Sequence, residues 1–166
     1  MHDATALTEA RIQRFVTERL LPAVHGRSTP LEVAAWTAPG EPVVFAEAIE
    51  QAYEPFAVGE AWGRPWGTTW LRVRGVLPPQ ETGTRAEALF DLGFDTRQPG
   101  FQAEGTVYRT DGSVVKAVEP RNAFVPLAGE PGSSFELYVE AAANPDVAEG
   151  FLDFRPTPLG EWDTAG

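Results

Sequence analysis

No cysteine occurs in this 166-residue chain, and it holds two histidines and one methionine. Without thiols there is no disulfide framework and no cysteine nucleophile. His2 and His25 stand far apart in sequence, so no Cys/His set or His-x-His spacing exists for a zinc ion. Cations are scarce as well: Lys+Arg 13 against Asp+Glu 24 leaves a net charge of −11. A surface that acidic repels phosphate backbones and anionic lipid headgroups, which excludes nucleic acid and membrane as partners. No run approaches the roughly 18 apolar residues of a membrane span. At the N-terminus His2, Asp3 and Glu9 stand where a secretory signal would carry basic charge and then an apolar run, so a cytoplasmic location is expected.

What the chain does have is punctuation and rings. Gly 16 and Pro 15 are spread along the sequence, and hydrophobic residues make up 43% of it, with Phe 10 and Trp 5. That content supports a sizeable core, so the Gly and Pro read as the turns of a single all-β domain rather than as disorder.

One helix is predicted, over residues 8–21. Thr8 can cap its first turn, Glu9 suits the positive end of the dipole, and Ile12, Phe15, Val16 and Leu20 share a face. Pro22 is expected to stop it. Arg11, Arg14, Glu18 and Arg19 form the polar side, and the apolar stripe calls for a sheet or a neighbouring domain to cover it.

After about Leu31 the apolar period changes from 3.6 to 2. Phe135, Leu137, Val139 and Ala141 alternate with Ser134, Glu136, Tyr138 and Glu140, which predicts a strand with the first set in the core and the second toward water. Ala86, Ala88, Phe90 and Leu92 form a second such row, and Thr69, Leu71 and Val73 a third, alternating with Trp70, Arg72 and Arg74. A hairpin is predicted between residues 102 and 118 with Asp111-Gly112 at its tip, since both positions tolerate positive φ. Shorter strands are expected over 43–46, 55–58, 123–127 and 151–155. Seven to nine short antiparallel strands suggest a two-sheet sandwich with the helix on its flank.

The sequence offers little for catalysis. Acidic pairs such as Asp91 with Asp95 or Glu136 with Glu140 are the nearest thing to a glycosidase dyad, but Glu136 and Glu140 fall on the face assigned to solvent. Ser28, Ser113, Ser133 and Ser134 lie in turn-like sequence without a nucleophile-elbow context. The Gly-rich stretches 59–67 and 129–132 lack the helix and lysine of a phosphate cradle.

The unusual segment is Ala61-Trp62-Gly63-Arg64-Pro65-Trp66-Gly67-Thr68-Thr69-Trp70, which packs three of the five tryptophans into nine positions. Such rings can plug the end of a sandwich, anchor an interface with another domain, or stack on sugar faces. Gln98, Phe101, Gln102, Glu104 and Tyr108 form a second polar and aromatic group open to the same readings. Arg64, Arg72, Arg74, Arg97 and Arg121, set among aromatic and amide side chains, add a composition enriched at protein interfaces.

Four blocks stand in order: Leu20-Leu21-Pro22-Ala23-Val24, then Trp62-Gly63-Arg64-Pro65-Trp66-Gly67-Thr68-Thr69-Trp70, then Pro99-Gly100-Phe101-Gln102-Ala103-Glu104-Gly105, and Tyr138-Val139-Glu140-Ala141-Ala142-Ala143-Asn144-Pro145. Together they resemble the N-terminal, non-catalytic region of bacterial α-mannosidases of glycoside hydrolase family 38, over nearly the whole chain. The resemblance implies a jelly-roll, galactose-binding-like β-sandwich ahead of a catalytic α/β barrel, a helical bundle and further β domains. It implies a retaining, zinc-dependent exo-α-mannosidase as the parent polypeptide. The family's catalytic aspartate and zinc ligands match nothing here, so neither a catalytic residue nor a cofactor is expected in this chain, and zinc belongs to the catalytic domain.

The expected organisation is an N-terminal helix and connector (1–30), a β-sandwich (31–155) and the start of a linker (156–166), where Pro156, Pro158 and Gly160 lead away from the sheet. The expected partners are the remainder of the same polypeptide and the other subunits of a homo-oligomer. The alternative is an autonomous carbohydrate-binding module. The candidate contact residues for either are Trp62, Arg64, Trp66, Trp70, Gln98, Phe101, Glu104, Tyr108, Arg121 and Asn144.

Overall fold

The computed structural model describes residues 4–80, 84–95, 100 and 102–145. The chain divides into two compact units, residues 1–30 and 31–166.

The first unit is one continuous helical run with a widened middle. Helix α1 spans Thr5–Phe15, a π-helical turn spans Val16–Leu20, and α2 spans Leu21–Val24. The predicted start and stop both move. Ala4 takes the N-cap position without a side-chain bond, and the Thr8 amide already donates to the Ala4 carbonyl at 2.9 Å, so Thr8 lies inside the first turn. Pro22 does not end the run. A proline ring clashes with the carbonyl four residues earlier, here Glu18, and the π turn relieves this because Leu21 N–H reaches back five residues to Val16. Pro22 then sits in the first turn of α2, directly after the π turn. No residue of this run is buried.

Among the described residues the strands of the second unit all pair antiparallel. Its strands are β1 (Glu32–Thr37), β2 (Glu54–Pro55), β3 (Thr68–Val76), β4 (Ala86–Leu89), β5 (Glu104–Arg109), β6 (Val114–Val118), β7 (Phe124–Leu127) and β8 (Ser134–Ala142), with a short helix α3 (Phe45–Ala48) between β1 and β2. A six-stranded sheet runs in the order β2-β1-β3-β8-β5-β6, and β4 pairs with β7 in a second sheet. Leu71, Val73, Val107, Val118, Leu137, Val139 and Ala141 of the large sheet meet Ala88, Phe90, Leu92 and Val125 on the β4–β7 side in one apolar core, mostly aliphatic. The hairpin lies at the predicted place: Gly112 adopts φ 82 and its amide returns to the Arg109 carbonyl at 3.0 Å.

Four details depart from the sequence reading. Residues 43–46 are not a strand: Phe45 opens α3, which sets Phe45, Ala48 and Ile49 at helical spacing toward one aromatic cluster. Residues 55–58 contribute only Pro55 to the two-residue β2, which is an edge strand where a proline is tolerated. Strand β1 was not individually predicted. Tyr138, assigned to water, is buried, because both faces of the large sheet are covered. The predicted strand 151–155 and the linker 156–166 lie outside the described residues.

Candidate functional site

The register of the large sheet lines up its second face in rows. Trp36, Trp70, Glu140 and Thr106 form one row, Ala34, Arg72, Tyr138 and Tyr108 the next, and Glu32, Arg74 and Glu136 a third. The segment 43–53 covers the first two of these rows, while Glu32 and Arg74 of the third are exposed. Phe45 stands edge-on to Trp70 (6.1 Å) and Tyr138 (5.6 Å) and lies 5.3 Å from the Tyr108 ring, while Tyr53 packs edge-on against Tyr138 at 6.0 Å. The Arg72 guanidinium sits 5.2 Å above the Tyr53 ring.

Carboxylates on this face are held by phenols. Tyr108 Oη donates to Glu140 at 2.8 Å and Tyr138 Oη to Glu136 at 2.9 Å, while Arg74 also pairs with Glu136. Burial alone would raise the Glu136 carboxyl, but the bonds from Arg74 and Tyr138 and the charges of Arg74 and Arg72 outweigh it and hold it below the usual carboxylate range. Burial, together with the Glu140 contact, pushes the Tyr108 phenol up to about 12. Burial and the neighbouring Tyr138 push Tyr53 up to about 12 against the opposing charge of Arg72. Tyr53 Oη and Trp70 Nε1 are buried without a hydrogen-bond partner.

This arrangement is not an acid–base machine. Glu136 and Glu140 share a face but lie four residues apart on a strand, about 13 Å at 3.3 Å per residue. Glycosidase carboxyl pairs stand roughly 5–9.5 Å apart, and the acid needs a raised pKa where that of Glu136 is lowered. Nor do the donors suit the zinc that the family resemblance implies for the parent. Among the described residues no group of three or more His, Cys, Asp or Glu comes together that could hold a metal ion.

The tryptophan-rich segment separates into three environments. Trp70 is fully buried in the aromatic cluster and presents no ring face to a sugar or a partner, which corrects its candidacy as a contact residue. Trp62 packs against the aliphatic core, and its indole N–H donates to the Leu92 carbonyl at 3.1 Å, so it plugs one end of the sandwich. Trp66 is half-buried and adopts φ 62, the one non-glycine residue with positive φ among the described residues. A side chain in that region costs roughly 1–2 kcal/mol.

The turn is held by hydrogen bonds from Trp66 N to Ala143 O (2.8 Å), Gly67 N to Arg64 O (2.8 Å) and Ala143 N to Gly67 O (2.9 Å). Arg64 reaches the Pro39 carbonyl at 3.1 Å. Gly63, with φ 66, lies where a Cβ would stand 2.7 Å from that of Ala143, so only glycine permits this approach.

The remaining candidates are scattered. Asn144 Nδ2 stands 3.5 Å from Glu104 Oε1, beside the Trp66 turn, because Glu104 and Thr68 both pair with Ala142. Tyr108 belongs to the covered face, and Arg121 is exposed in the turn between β6 and β7, its amide donating to Glu119 at 3.0 Å. Gln102 is buried and clips the Asp95 backbone with both ends of its amide (2.7 and 2.9 Å), a loop-closing role. Gln98 and Phe101 lie outside the described residues. Sequence reasoning missed Phe45 and Tyr53 on the covered face, since nothing local shows that residues 43–53 fold over strands so distant in the chain.

Architecture and side-chain chemistry define the class: an antiparallel β-sandwich domain with both faces of its main sheet covered and, among the described residues, no acid–base or metal constellation. Comparison with known proteins then identifies the family. Residues 29–160 match the family described as alpha-mannosidase, jelly roll domain, and the chain belongs to it. The chain is 27% identical over 149 residues to alpha-mannosidase 2C1 of Homo sapiens and 26% identical over 149 residues to alpha-mannosidase 2C1 of Mus musculus. Each alignment covers 82% of this chain and 13% of the relative, so the chain spans a small fraction of the relatives' length.

Proposed function

We propose that this chain is the non-catalytic N-terminal sandwich domain of a retaining, zinc-dependent exo-α-mannosidase of glycoside hydrolase family 38, cytoplasmic, and that it packs on the catalytic domain of its own polypeptide. Contacts with other subunits of an oligomer belong to the same reading. The observation that carries it is the family match over residues 29–160, set beside relatives called alpha-mannosidase of which the chain spans 13%. The placement of the tryptophans supports packing over sugar binding: Trp70 is enclosed and Trp62 is committed to the core and to Leu92. In this reading zinc and the carboxylates that act on the glycosidic bond come from elsewhere in the polypeptide.

The test is hydrolysis of an aryl α-mannoside. The intact polypeptide is expected to release nitrophenol in a chelator-sensitive manner, and this chain alone to release none. Hydrolysis by the 166-residue chain itself, with host enzyme excluded, would overturn the proposal.

A further inference from the structure

The Asp111-Gly112 pair at the hairpin tip carries chemistry as well as a turn. A glycine leaves the amide nitrogen after an aspartate open to approach, and that nitrogen can attack the side chain before it. The bond from nitrogen to Cγ forms and the C–OH bond of the neutral carboxylic acid breaks, the hydroxyl and the amide proton leaving together as water. Water then reopens the cyclic imide at either carbonyl. Opening at the main-chain carbonyl gives isoaspartate, in which the backbone runs through Cβ and Cγ. The sequence contains no other Asp-Gly and no Asn-Gly, so this bond stands apart from the rest of the chain.

The fold holds both reacting groups out of position. The Gly112 amide, which would be the nucleophile, donates to the Arg109 carbonyl at 3.0 Å, and Asp111 Oδ1 accepts from the Ser113 amide at 2.9 Å. Residue 113 is braced in turn, because the Arg109 amide donates to its carbonyl at 2.9 Å and Arg109 Nη1 to its Oγ at 3.2 Å. Attack requires the Asp111–Gly112 peptide to rotate about the Asp111 Cα–C bond, which breaks the Gly112 bond and pulls against partners on both sides. Hydrogen bonds from the Ser113 side chain and amide, together with the charge of Arg109, also hold the Asp111 carboxyl below its usual range. A carboxylate has no hydroxyl to release. The tip lies against the aromatic face as well: a Cβ on Gly112 would stand 3.0 and 3.3 Å from ring carbons of Phe45, the ring that meets Trp70, Tyr108 and Tyr138. A main chain lengthened at the tip therefore presses on that ring.

We propose that Asp111-Gly112 is a site of spontaneous isoaspartate formation which the closed hairpin, through Ser113 and the Arg109 carbonyl, keeps silent in the folded chain, and that its conversion loosens the Phe45 cover of the aromatic face. The proposal is independent of the α-mannosidase reading, since it needs only the hairpin and its contact with Phe45.

The test incubates the 166-residue chain at one pH and temperature, native and in guanidinium chloride, and scores the proteolytic peptide carrying residue 111 with a methyltransferase that labels isoaspartyl carboxylates. Isoaspartate is expected to accumulate about tenfold faster in the denatured chain, because the native chain reacts only through local opening of the tip. Equal rates would overturn the proposal. Ser113→Ala deletes an exposed hydroxyl and is expected to speed the native reaction about fivefold while leaving the denatured rate unchanged, and no acceleration would remove Ser113 from the guard. Asp111→Asn keeps the acceptor oxygen but cannot ionise. Its deamidation is expected to retain about the same tenfold gap between native and denatured chain, and loss of that gap would refute the part assigned to the hairpin bonds. The isomerised protein, separated by chromatography, is expected to unfold at a lower denaturant concentration than the parent. An unchanged midpoint would refute the link to Phe45.

Discussion

The two faces of the six-stranded sheet are built from different chemistry on the same strands. One face is apolar and mostly aliphatic, with Leu71, Val73, Leu137 and Val139 packed against the β4–β7 side. The other carries Trp70, Tyr108 and Tyr138 between Glu136, Glu140, Arg72 and Arg74, and it is closed by Phe45 and Tyr53. The first needs only shape and apolar area. The second must satisfy polar tips as well as bury rings, which it does by turning phenol hydroxyls onto carboxylates. A sheet face can therefore bury rings such as Trp70 and Tyr138 beside charged residues that stay half-buried or, like Arg74, exposed.

The largest effect expected from this contrast is at Trp70. If the aromatic face is a second core, Trp70→Ala leaves a large cavity and lowers unfolding free energy by about 3–5 kcal/mol, as much as truncating a side chain in the aliphatic core. Urea denaturation of the two proteins measures it. A loss below about 1 kcal/mol would mean that the segment 43–53 is a loose cover over what is in effect a surface.

Next in size is the response to alkali, which separates the faces because only one carries phenols. Tyr53 and Tyr108 titrate near 12 in the folded chain against 10.0 unfolded. Between those values the unfolded state has lost protons that the folded state keeps, so stability is full below pH 10 and falls as pH rises toward 12. Glu136, with its lowered pKa, acts on the other side: its contribution is present above the ordinary carboxylate range and is lost as pH falls through the folded value. Denaturant midpoints followed from neutral to pH 12 are expected to drop over the alkaline window, and the double variant Tyr53→Phe, Tyr108→Phe to flatten the drop. An unchanged slope in that variant would place the alkaline sensitivity elsewhere.

How much of this was legible in the sequence follows the same divide. The aliphatic rows of β4 and β8 were readable because alternation is local, and so was the hairpin at Asp111-Gly112, which depends on two adjacent residues. Strand β1 escaped because Glu32–Thr37 contributes Val33 and Ala35 to one face and Ala34 and Trp36 to the other, leaving no polar alternation to detect. Tyr138 and Glu140 were read as solvent-facing because their cover, residues 43–53, is far away in sequence. The density of tryptophan marked the right segment but not its three outcomes. Those depend on strand parity for Trp70, on the Leu92 carbonyl for Trp62 and on a positive φ for Trp66.

The finest test lies inside the aromatic face, between two tyrosines that differ in what their hydroxyls meet. Tyr108 Oη donates to the Glu140 carboxylate, so Tyr108→Phe leaves a half-buried charge without its donor and is expected to cost about 1.5–3 kcal/mol. Tyr53 Oη is buried without a partner, so the desolvation it suffers in folding is uncompensated. Removing that oxygen retains the ring against Tyr138 and under Arg72 while it relieves the penalty. Tyr53→Phe is therefore expected to be neutral or to stabilise the chain by up to about 1 kcal/mol, opposite in sign to Tyr108→Phe. Paired urea titrations at neutral pH compare the two variants under one condition. A loss at Tyr53 equal to that at Tyr108 would show that its hydroxyl has a partner in the folded chain.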